Sequence, residues 1–339
     1  MWKKVGLVVS AIILLLIIFN FNLIMYGLGQ AKGQFHILWN AQPVGEVLQS
    51  GAPDSLKYKL RLVEEIRQFA FDSLDLTPSD NYTTIFDQQG KEVLWVVTAC
   101  APYTFEPVVW NFPVVGSFTF KGFFDFEKVR SLALELKEEG YDVSVRAVSG
   151  WSTLGWFKDP IMSNMLFEEE GELANTIIHE LTHGTLFVPD SMTFNENLAS
   201  FIGHQGSLKF LNARYGANSD LAVRYLEKRE DSDQFTNHLI SAAQDLDTLY
   251  QTLAYLPNSD LEIFKSAFIQ QVIDDLDTVS FHDPSRYSAL FDTVQPNNAF
   301  FIAFLSYRSR QGIFRNMLEE RFGGDIKAFI QHWKLEYGK

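Results

Sequence analysis

The pattern of hydrophobic and polar positions divides the chain into a mixed first half and a helical second half. Apolar residues recur at helical spacing in Leu56–Asp75 and again in Asp125–Glu139, which predicts two helices. Four β-rich stretches predict strands, and Gln88-Gln89-Gly90 predicts a hairpin between the first two of them. The four stretches are Tyr82–Phe86, Val93–Thr98, Phe112–Phe120 and Val143–Val148.

From Met162 onward the apolar residues recur almost entirely at helical spacing. The main predicted helices are Leu208–Glu230, Asp233–Tyr255, Asp260–Asp277, Asn298–Ser309 and Ile326–Lys334. Upstream, Gln30–Pro53 is predicted to be a connecting segment with a short helix at Val44–Gln49. Because the pattern changes near residue 160, we predict an α+β fold with two lobes. A mixed lobe with a small sheet covers residues 30–160, and a mostly helical lobe covers residues 161–339.

The N-terminus carries a long apolar segment without charges. Lys3 and Lys4 precede Val5–Met25, which reaches the ~20 residues that a spanning helix needs. We therefore predict that residues 1–29 form a single-pass transmembrane helix with the N-terminus inside. The catalytic part is then extracytoplasmic, in the periplasm or at the cell surface. A cleaved signal peptide stays open as the alternative, because Gly27-Leu28-Gly29 is a conceivable cleavage site.

Composition narrows the classes of partner and of metal site. The 339 residues include 28 Lys and Arg against 42 Asp and Glu, for a net charge of −14. Nucleic acid is therefore an unexpected partner, since phosphate binding needs concentrated basic residues. Cys100 is the one cysteine, which excludes an intrachain disulfide and any multi-cysteine metal site. A metal site must then be built from His, Asp and Glu. Composition gives no indication of the oligomeric state.

One motif carries metal chemistry, the H-E-x-x-H formed by residues 179–183. Residues four apart lie on one face of a helix, so the imidazoles of His179 and His183 converge and can bind one Zn²⁺. Glu180 projects beside them, where it can take a proton from a water that the metal activates. The alternative is a buried helix with two incidental histidines. A chance motif is rare in a chain with seven histidines, which favours the metal site.

Zinc needs a third protein ligand. The metzincin extension is excluded, because Pro189 stands where that class has its last histidine. Glu196 is the predicted third ligand, on a second helix for which Thr193 is a plausible N-cap. A turn at residues 189–191 lets that helix fold back onto the first. His204 lies about two turns beyond Glu196 on the same helix, so it is the reserve ligand.

An H-E-x-x-H followed by Asn195-Glu196 resembles the gluzincin metallopeptidases, with twelve residues between His183 and Glu196. Ser200 stands where some gluzincins carry an Asp that supports a histidine ligand. Most of the chain resembles the bacterial putative aminopeptidase family of membrane-associated zincins. That resemblance rests on six blocks in order: Gly33-Gln34, Trp110–Gly116, Tyr141–Val143, Ser152–Pro160, His179–His183 and Phe194–Glu196. It implies a zincin-like helical lobe and a zinc peptidase that acts on peptide substrates. The expectation of aminopeptidase activity comes from the description of the family.

The expected roles follow from this chemistry. His179, His183 and Glu196 bind Zn²⁺, and Glu180 is the general base. Tyr307, on a predicted helix, is a candidate second electrophile for the oxyanion, although a packing tyrosine is the alternative. Two rival functions stay open: a catalytically inactive zincin-fold scaffold or peptide-binding protein, and a metal-dependent hydrolase of a non-peptide bond. An intact Glu180 argues against the first rival. Exopeptidase and endopeptidase activity stay undecided.

Overall fold

The computed structural model describes Trp2, Val5 and residues 18–112, 116–148, 158–189, 191–307 and 311–338. The strands are β1 (Gln42–Pro43), β2 (Thr84–Phe86), β3 (Trp95–Cys100), β4 (Trp110–Phe112), β5 (Gly116–Phe118), β6 (Phe120–Phe123), β7 (Asp142–Ala147) and β8 (Ile161–Met162). The helices of the first half are α1 (Phe21–Asn40), α2 (Val44–Gln49), α3 (Asp54–Leu74) and α4 (Phe126–Glu138). Those of the second half are α5 (Glu170–Thr185), α6 (Met192–Tyr215), α7 (Asp220–Thr252), α8 (Asn258–Asp274), α9 (Ser285–Ser288), α10 (Leu290–Thr293), α11 (Asn298–Tyr307), α12 (Gln311–Phe322) and α13 (Ile326–Tyr337). Short 3₁₀ helices lie at Ser163–Phe167 and Asp275–Thr278.

The strands of the described residues form three small sheets. In the first, β2 pairs antiparallel with β1 and parallel with β8. In the second, β3 lies between two antiparallel partners, so that Thr98 is opposite Phe120 of β6 and Ser144 of β7. Strands β4 and β5 form a hairpin. The mixed α+β prediction for the fold is therefore confirmed.

Helices cover both faces of the sheet formed by β6, β3 and β7. On one face Val97 and Val143 pack into a cluster with Val129 of α4. On the other face Cys100 packs against Ile302 of α11. Side chains alternate between the two faces of a strand, so Thr98 of β3 and Ser144 and Arg146 of β7 point toward α11, on the side of Cys100. This second face is the one that approaches the helical half of the chain.

The largest hydrophobic core is shared by residues from both sides of position 160. Helix α3 contributes one apolar stripe, which includes Leu60, Val63 and Ile66, all without solvent exposure. Helices α5, α6, α12 and α13 supply the other side of this core. The division into lobes at residue 160 stays a prediction, and the common core fixes α5 and α6 against the first half of the chain.

Several local predictions are confirmed because they rest on short-range signals. Helix α2 occupies the predicted Val44–Gln49. Helix α4 begins after Asp125, whose side chain accepts a hydrogen bond from the Glu127 backbone N–H, as an N-cap does. It ends before Gly140, whose φ of 91° lies in the left-handed region that glycine tolerates.

The predicted hairpin around Gln88-Gln89-Gly90 is wrong. The chain does turn there, and Lys91 N–H donates to the Gln88 carbonyl over 3.0 Å. The strands on either side nevertheless belong to different sheets. Gln88 bonds instead to the segment after β8: its N–H donates to Ser163 Oγ, and its Oε1 accepts from Asn164 N–H. These contacts hold β2 beside β8 rather than beside β3.

The remaining differences concern the bounds of elements. The predicted connecting segment Gln30–Pro53 is helical as far as Asn40, because α1 continues through it. The stretch Phe112–Phe120 is divided among β4, β5 and β6, with residues 113–115 outside the described residues. The predicted helix Leu208–Glu230 is broken at Gly216, which has a φ of 89°. Helix α7 then runs without interruption through the predicted boundary near residue 231. Helix α12 was not predicted.

In the part of the chain that the structure describes, no helix is long and apolar enough to cross a membrane. The predicted span Val5–Met25 falls largely on residues 6–17, which lie outside that part. The membrane anchor therefore stays a prediction. Most of the block Ser152–Pro160 also lies outside the described residues.

Candidate metal centre

Helix α5 carries the H-E-x-x-H at the edge of its buried face. Its buried apolar residues are Leu173, Ala174, Ile177, Ile178 and Leu181. Glu170 and Glu172 lie in the first turn, where negative charge stabilises a helix. His183 is only 3% exposed, and His179 is half-buried. The two imidazoles therefore project from the border of the core, with little contact with bulk water.

Helix α6 approaches α5 closely because small residues face it. A Cβ atom added at Gly203 would lie 2.8 Å from Asn175 Oδ1, 3.0 Å from the Asn175 carbonyl oxygen and 3.2 Å from His179 Cβ. One added at Gly206 would lie 3.1 Å from Ile178 of α5 and 2.7 Å from Leu74 of α3. Glycine at these positions lets the two helices meet, which brings Glu196 within reach of the histidines.

The Asn195 side chain holds the loop between α5 and α6 through two hydrogen bonds to the backbone of one residue, as neighbouring strands do. Asn195 Oδ1 accepts from the Val188 N–H, and Asn195 Nδ2 donates to the Val188 carbonyl, both over 2.8 Å. Asn195 is buried, so this pair of hydrogen bonds fixes the first turn of α6 against the preceding loop. Glu196 follows directly and is positioned by it.

Three side chains bring their ligand atoms together. His179 Nε2 and His183 Nε2 are 3.1 Å apart, and they lie 3.5 and 3.4 Å from the two carboxylate oxygens of Glu196. A tetrahedral zinc ion with bonds of about 2.0–2.1 Å holds its ligand atoms about 3.3–3.4 Å apart. The measured distances are close to this spacing. One ligand atom from each of the three residues lies within 4.8 Å of the other two, so the three atoms form a triangle that could hold a metal ion.

The electrostatics of the cluster suit a cation. Burial disfavours the ionised form of Glu196, but the interactions with His179 and His183 outweigh burial and lower the pKa of this carboxyl well below its usual range. Ser200 Oγ lies 3.4 Å from His179 Nδ1, so one turn of α6 supplies both Glu196 and a contact that orients a histidine. Such contacts to the second ring nitrogen fix the tautomer that binds metal.

Substituting Gly203 with alanine should lower both stability and zinc affinity. The added methyl group meets the Asn175 backbone and His179 Cβ, so α6 must move away from α5 and take Glu196 with it. We expect a loss of about 1–3 kcal/mol in the free energy of unfolding, the usual cost of overpacking. Urea unfolding and zinc titration measure the two effects.

The control for this variant is Gly312→Ala. Gly312 is exposed on α12 with open space around the added methyl group, so alanine should stabilise the helix by up to about 1 kcal/mol. Wild-type stability and zinc affinity in Gly203→Ala would show that the glycine contact does not set the helix separation.

Tyr82 interacts electrostatically with Glu180, which the sequence did not reveal. It is buried, its N–H donates to the Asp159 carbonyl over 2.7 Å, and its φ of 63° is unusual for a residue with a large side chain. Burial, together with the charges of Glu180 and Asp159, raises the pKa of Tyr82 well above its usual value. The hydroxyl group therefore stays protonated within the electrostatic range of the predicted general base.

Other predicted residues lie apart from the cluster. The reserve ligand His204 has its Nδ1 3.1 Å from the hydroxyl oxygen of Tyr225, and it is not part of the three-residue group. Tyr307 is the last residue of α11, and its side chain lies outside the described part of the structure. The role given to Tyr307 stays a prediction.

The acidic residues before α5 already have partners. Burial raises the pKa of Glu168 to about 7, although a hydrogen bond from Thr176 favours its ionised form. Glu169 forms an ion pair with Lys228 over 2.6 Å. Glu170 accepts hydrogen bonds from two tyrosine hydroxyl groups. These contacts give Glu168, Glu169 and Glu170 a structural role, since Glu169 and Glu170 join the start of α5 to neighbouring helices.

Two adjoining cavities lie beside the cluster. The smaller, of about 120 Å³, is lined by Glu196, by Arg146 of β7 and by Thr98 of β3. The larger, of about 680 Å³, shares Thr193 with the first and extends to Trp333 of α13. Together they form a cleft that reaches Glu196 from the side of the sheet.

Comparisons with known proteins give one match. A family model described as "Putative aminopeptidase" matches residues 25–336, which is most of the chain. Neither a curated protein nor a solved structure matches.

Proposed function

Because the chain belongs to the putative aminopeptidase family, we propose that it is a zinc-dependent aminopeptidase that hydrolyses peptide bonds. The observation that carries the proposal is the triangle of ligand atoms from His179, His183 and Glu196. Three protein ligands leave a fourth position open, as catalytic zinc sites do, whereas structural sites use four. Glu180, on the same helix as both histidines, supplies the base that hydrolysis needs.

Each residue has a defined part in this proposal. When bound, Zn²⁺ supplies a Lewis acid that activates water and polarises the scissile carbonyl group. Glu180 takes the proton of the attacking water and passes it to the leaving amine. Tyr307 is our candidate donor to the oxyanion, because α11 lines the cleft through Ile302.

We propose that residues 1–29 anchor the enzyme in a membrane and that its catalytic part is extracytoplasmic. The support comes from the sequence alone: Lys3 and Lys4 stand before the uncharged apolar segment Val5–Met25. Peptides that reach the outer side of the membrane are then the substrates. Extraction of the full-length chain from membranes, with and without detergent, tests the anchor.

Removing the metal should abolish hydrolysis, and adding zinc should restore it. The purified full-length chain should contain one zinc ion, measured by atomic absorption. A chelator should remove the ion, the activity and part of the thermal stability, since a ligand that binds only the folded state stabilises it. The substrates are leucyl peptides with a free N-terminus, the same peptides with an acetylated N-terminus, and internally quenched peptides.

The outcomes separate the proposed activity from its rivals. Cleavage restricted to free N-termini supports an aminopeptidase, and cleavage of acetylated or internally quenched peptides indicates an endopeptidase. A chain that holds stoichiometric zinc and cleaves no peptide would contradict the proposal. It would favour either a scaffold protein or a hydrolase of a non-peptide bond.

A further inference from the structure

Arg146 lies on the face of the sheet that borders the metal centre. In the pairing of β3 with β7 it stands opposite Val96, and it shares a face with Thr98 because alternate residues of a strand point the same way. Arg146 and Glu196 line the same cavity of about 120 Å³. A group bound in this cavity can therefore contact Arg146 while it lies beside Glu196.

Within the part of the chain that the structure describes, Arg146 has no ion pair and no hydrogen bond from its side chain. Lys265, by contrast, is buried and pairs with Asp142 on the same strand. The two cations of this region therefore differ. Lys265 joins α8 to the sheet, and Arg146 faces the cleft with five N–H donors that no described residue accepts.

The charges around the cleft favour Arg146 as the site that binds an anionic group. Arg146 is the only lysine or arginine among the described residues that line either cavity, in a chain with a net charge of −14. Glu196, the acidic residue that lines the same cavity, is directed at the two histidines. A guanidinium group binds a carboxylate through two parallel hydrogen bonds, and the common anionic groups of a peptide are carboxylates.

We propose that Arg146 binds a carboxylate of the peptide substrate and so selects short or acidic peptides. The carboxylate is either the C-terminus of a short peptide or the side chain of an acidic residue near the scissile bond. The inference rests on the proposed peptidase function and specifies its substrate class.

The test compares four leucyl dipeptides with the zinc-loaded, full-length chain. They are leucyl-phenylalanine, its C-terminal amide, leucyl-glutamic acid amide and leucyl-glutamine amide. We expect kcat/KM to be about tenfold to a hundredfold higher for a peptide with the bound carboxylate than for its neutral partner, mostly through KM. Preference within the first pair identifies the C-terminal carboxylate, and preference within the second identifies the side chain.

Arg146→Ala should remove the preference and leave the neutral peptides cleaved within about twofold of the wild-type rate. Arg146→Lys should keep part of it, because lysine keeps the charge but not the two-point geometry. The control is Arg130→Ala, at an exposed arginine of α4. Zinc content and unfolding temperature should not change in any of these variants, since Arg146 is exposed and has no structural partner in the described residues.

Equal cleavage of all four peptides by wild type and Arg146→Ala overturns the inference and leaves the peptidase function standing. An equal loss of activity on charged and neutral peptides in Arg146→Ala also overturns it, because a carboxylate contact acts only on the charged ones. If zinc-loaded wild type cleaves none of the four, the proposed function fails and this inference fails with it.

Discussion

Replacing Glu180 with glutamine should lower kcat by about a hundredfold to ten thousandfold while zinc stays bound. This range is the usual contribution of a positioned general base. Glutamine keeps the size of the side chain but cannot accept the proton of the attacking water. His179 and His183 lie on the same helix and remain in place, so the triangle of ligand atoms is preserved. The measurements are steady-state kinetics and zinc content of the same preparation.

The control is Glu138→Gln, which removes an exposed carboxylate at the end of α4 and should leave kcat unchanged. If Glu180→Gln keeps kcat within about tenfold of the wild type, Glu180 is not the base. If the variant loses zinc instead, Glu180 supports the structure of the site. A loss of kcat with full zinc occupancy is the result that also excludes the scaffold alternative, since a binding protein needs no base.

The pair of histidines could be predicted because their relation is local. His183 follows His179 by four positions, and helical spacing alone places both on one side of the helix. Glu196 could be predicted because a turn after α5 reverses the chain over a short distance. The structure brings the three side chains together as expected. Their assignment as zinc ligands stays a prediction until a metal is measured.

Residues that depend on distant pairing could not be predicted. Arg146 reaches the cleft only because β7 pairs with β3, and Tyr82 is held beside Asp159 by the hydrogen bond from its N–H to the Asp159 carbonyl. The wrong hairpin prediction also results from a pairing between strands that are distant in sequence. The partner of Ile85 is Ile161, far along the chain, and no turn signal between neighbouring strands reveals it.

A second error concerns a polar position in a helix. The sequence predicts separate helices up to Glu230 and from Asp233, yet α7 continues through this point. Asp231 is buried there and accepts hydrogen bonds from the N–H groups of His282 and Asp283. A tertiary contact thus satisfies a buried carboxylate at the place where the sequence pattern predicts a boundary between helices. Local patterns predict helices well until such a contact changes the environment of a polar residue.

Removing the third ligand should have the other large effect. Glu196→Ala leaves two imidazoles and no carboxylate in the described cluster. Changing a residue that only orients a ligand costs about 10–100-fold in metal affinity, so loss of a ligand should cost more than about 100-fold. Competition against a chromogenic chelator measures the dissociation constant, and hydrolysis at fixed zinc should fall with occupancy.

Two variants on the same helix decide whether the effect belongs to Glu196 itself. Ser200→Ala removes the contact 3.4 Å from His179 Nδ1, so we expect zinc affinity to fall by about tenfold, the lower end for an orienting contact. His204→Ala should leave zinc affinity unchanged, because His204 bonds to Tyr225 and lies apart from the cluster. We therefore expect His204→Ala to bind zinc most tightly of the three variants, Ser200→Ala more weakly, and Glu196→Ala most weakly. If His204→Ala binds zinc more weakly than Glu196→Ala does, the reserve ligand is the true one, and the carboxylate acts only through its charge on the two histidines.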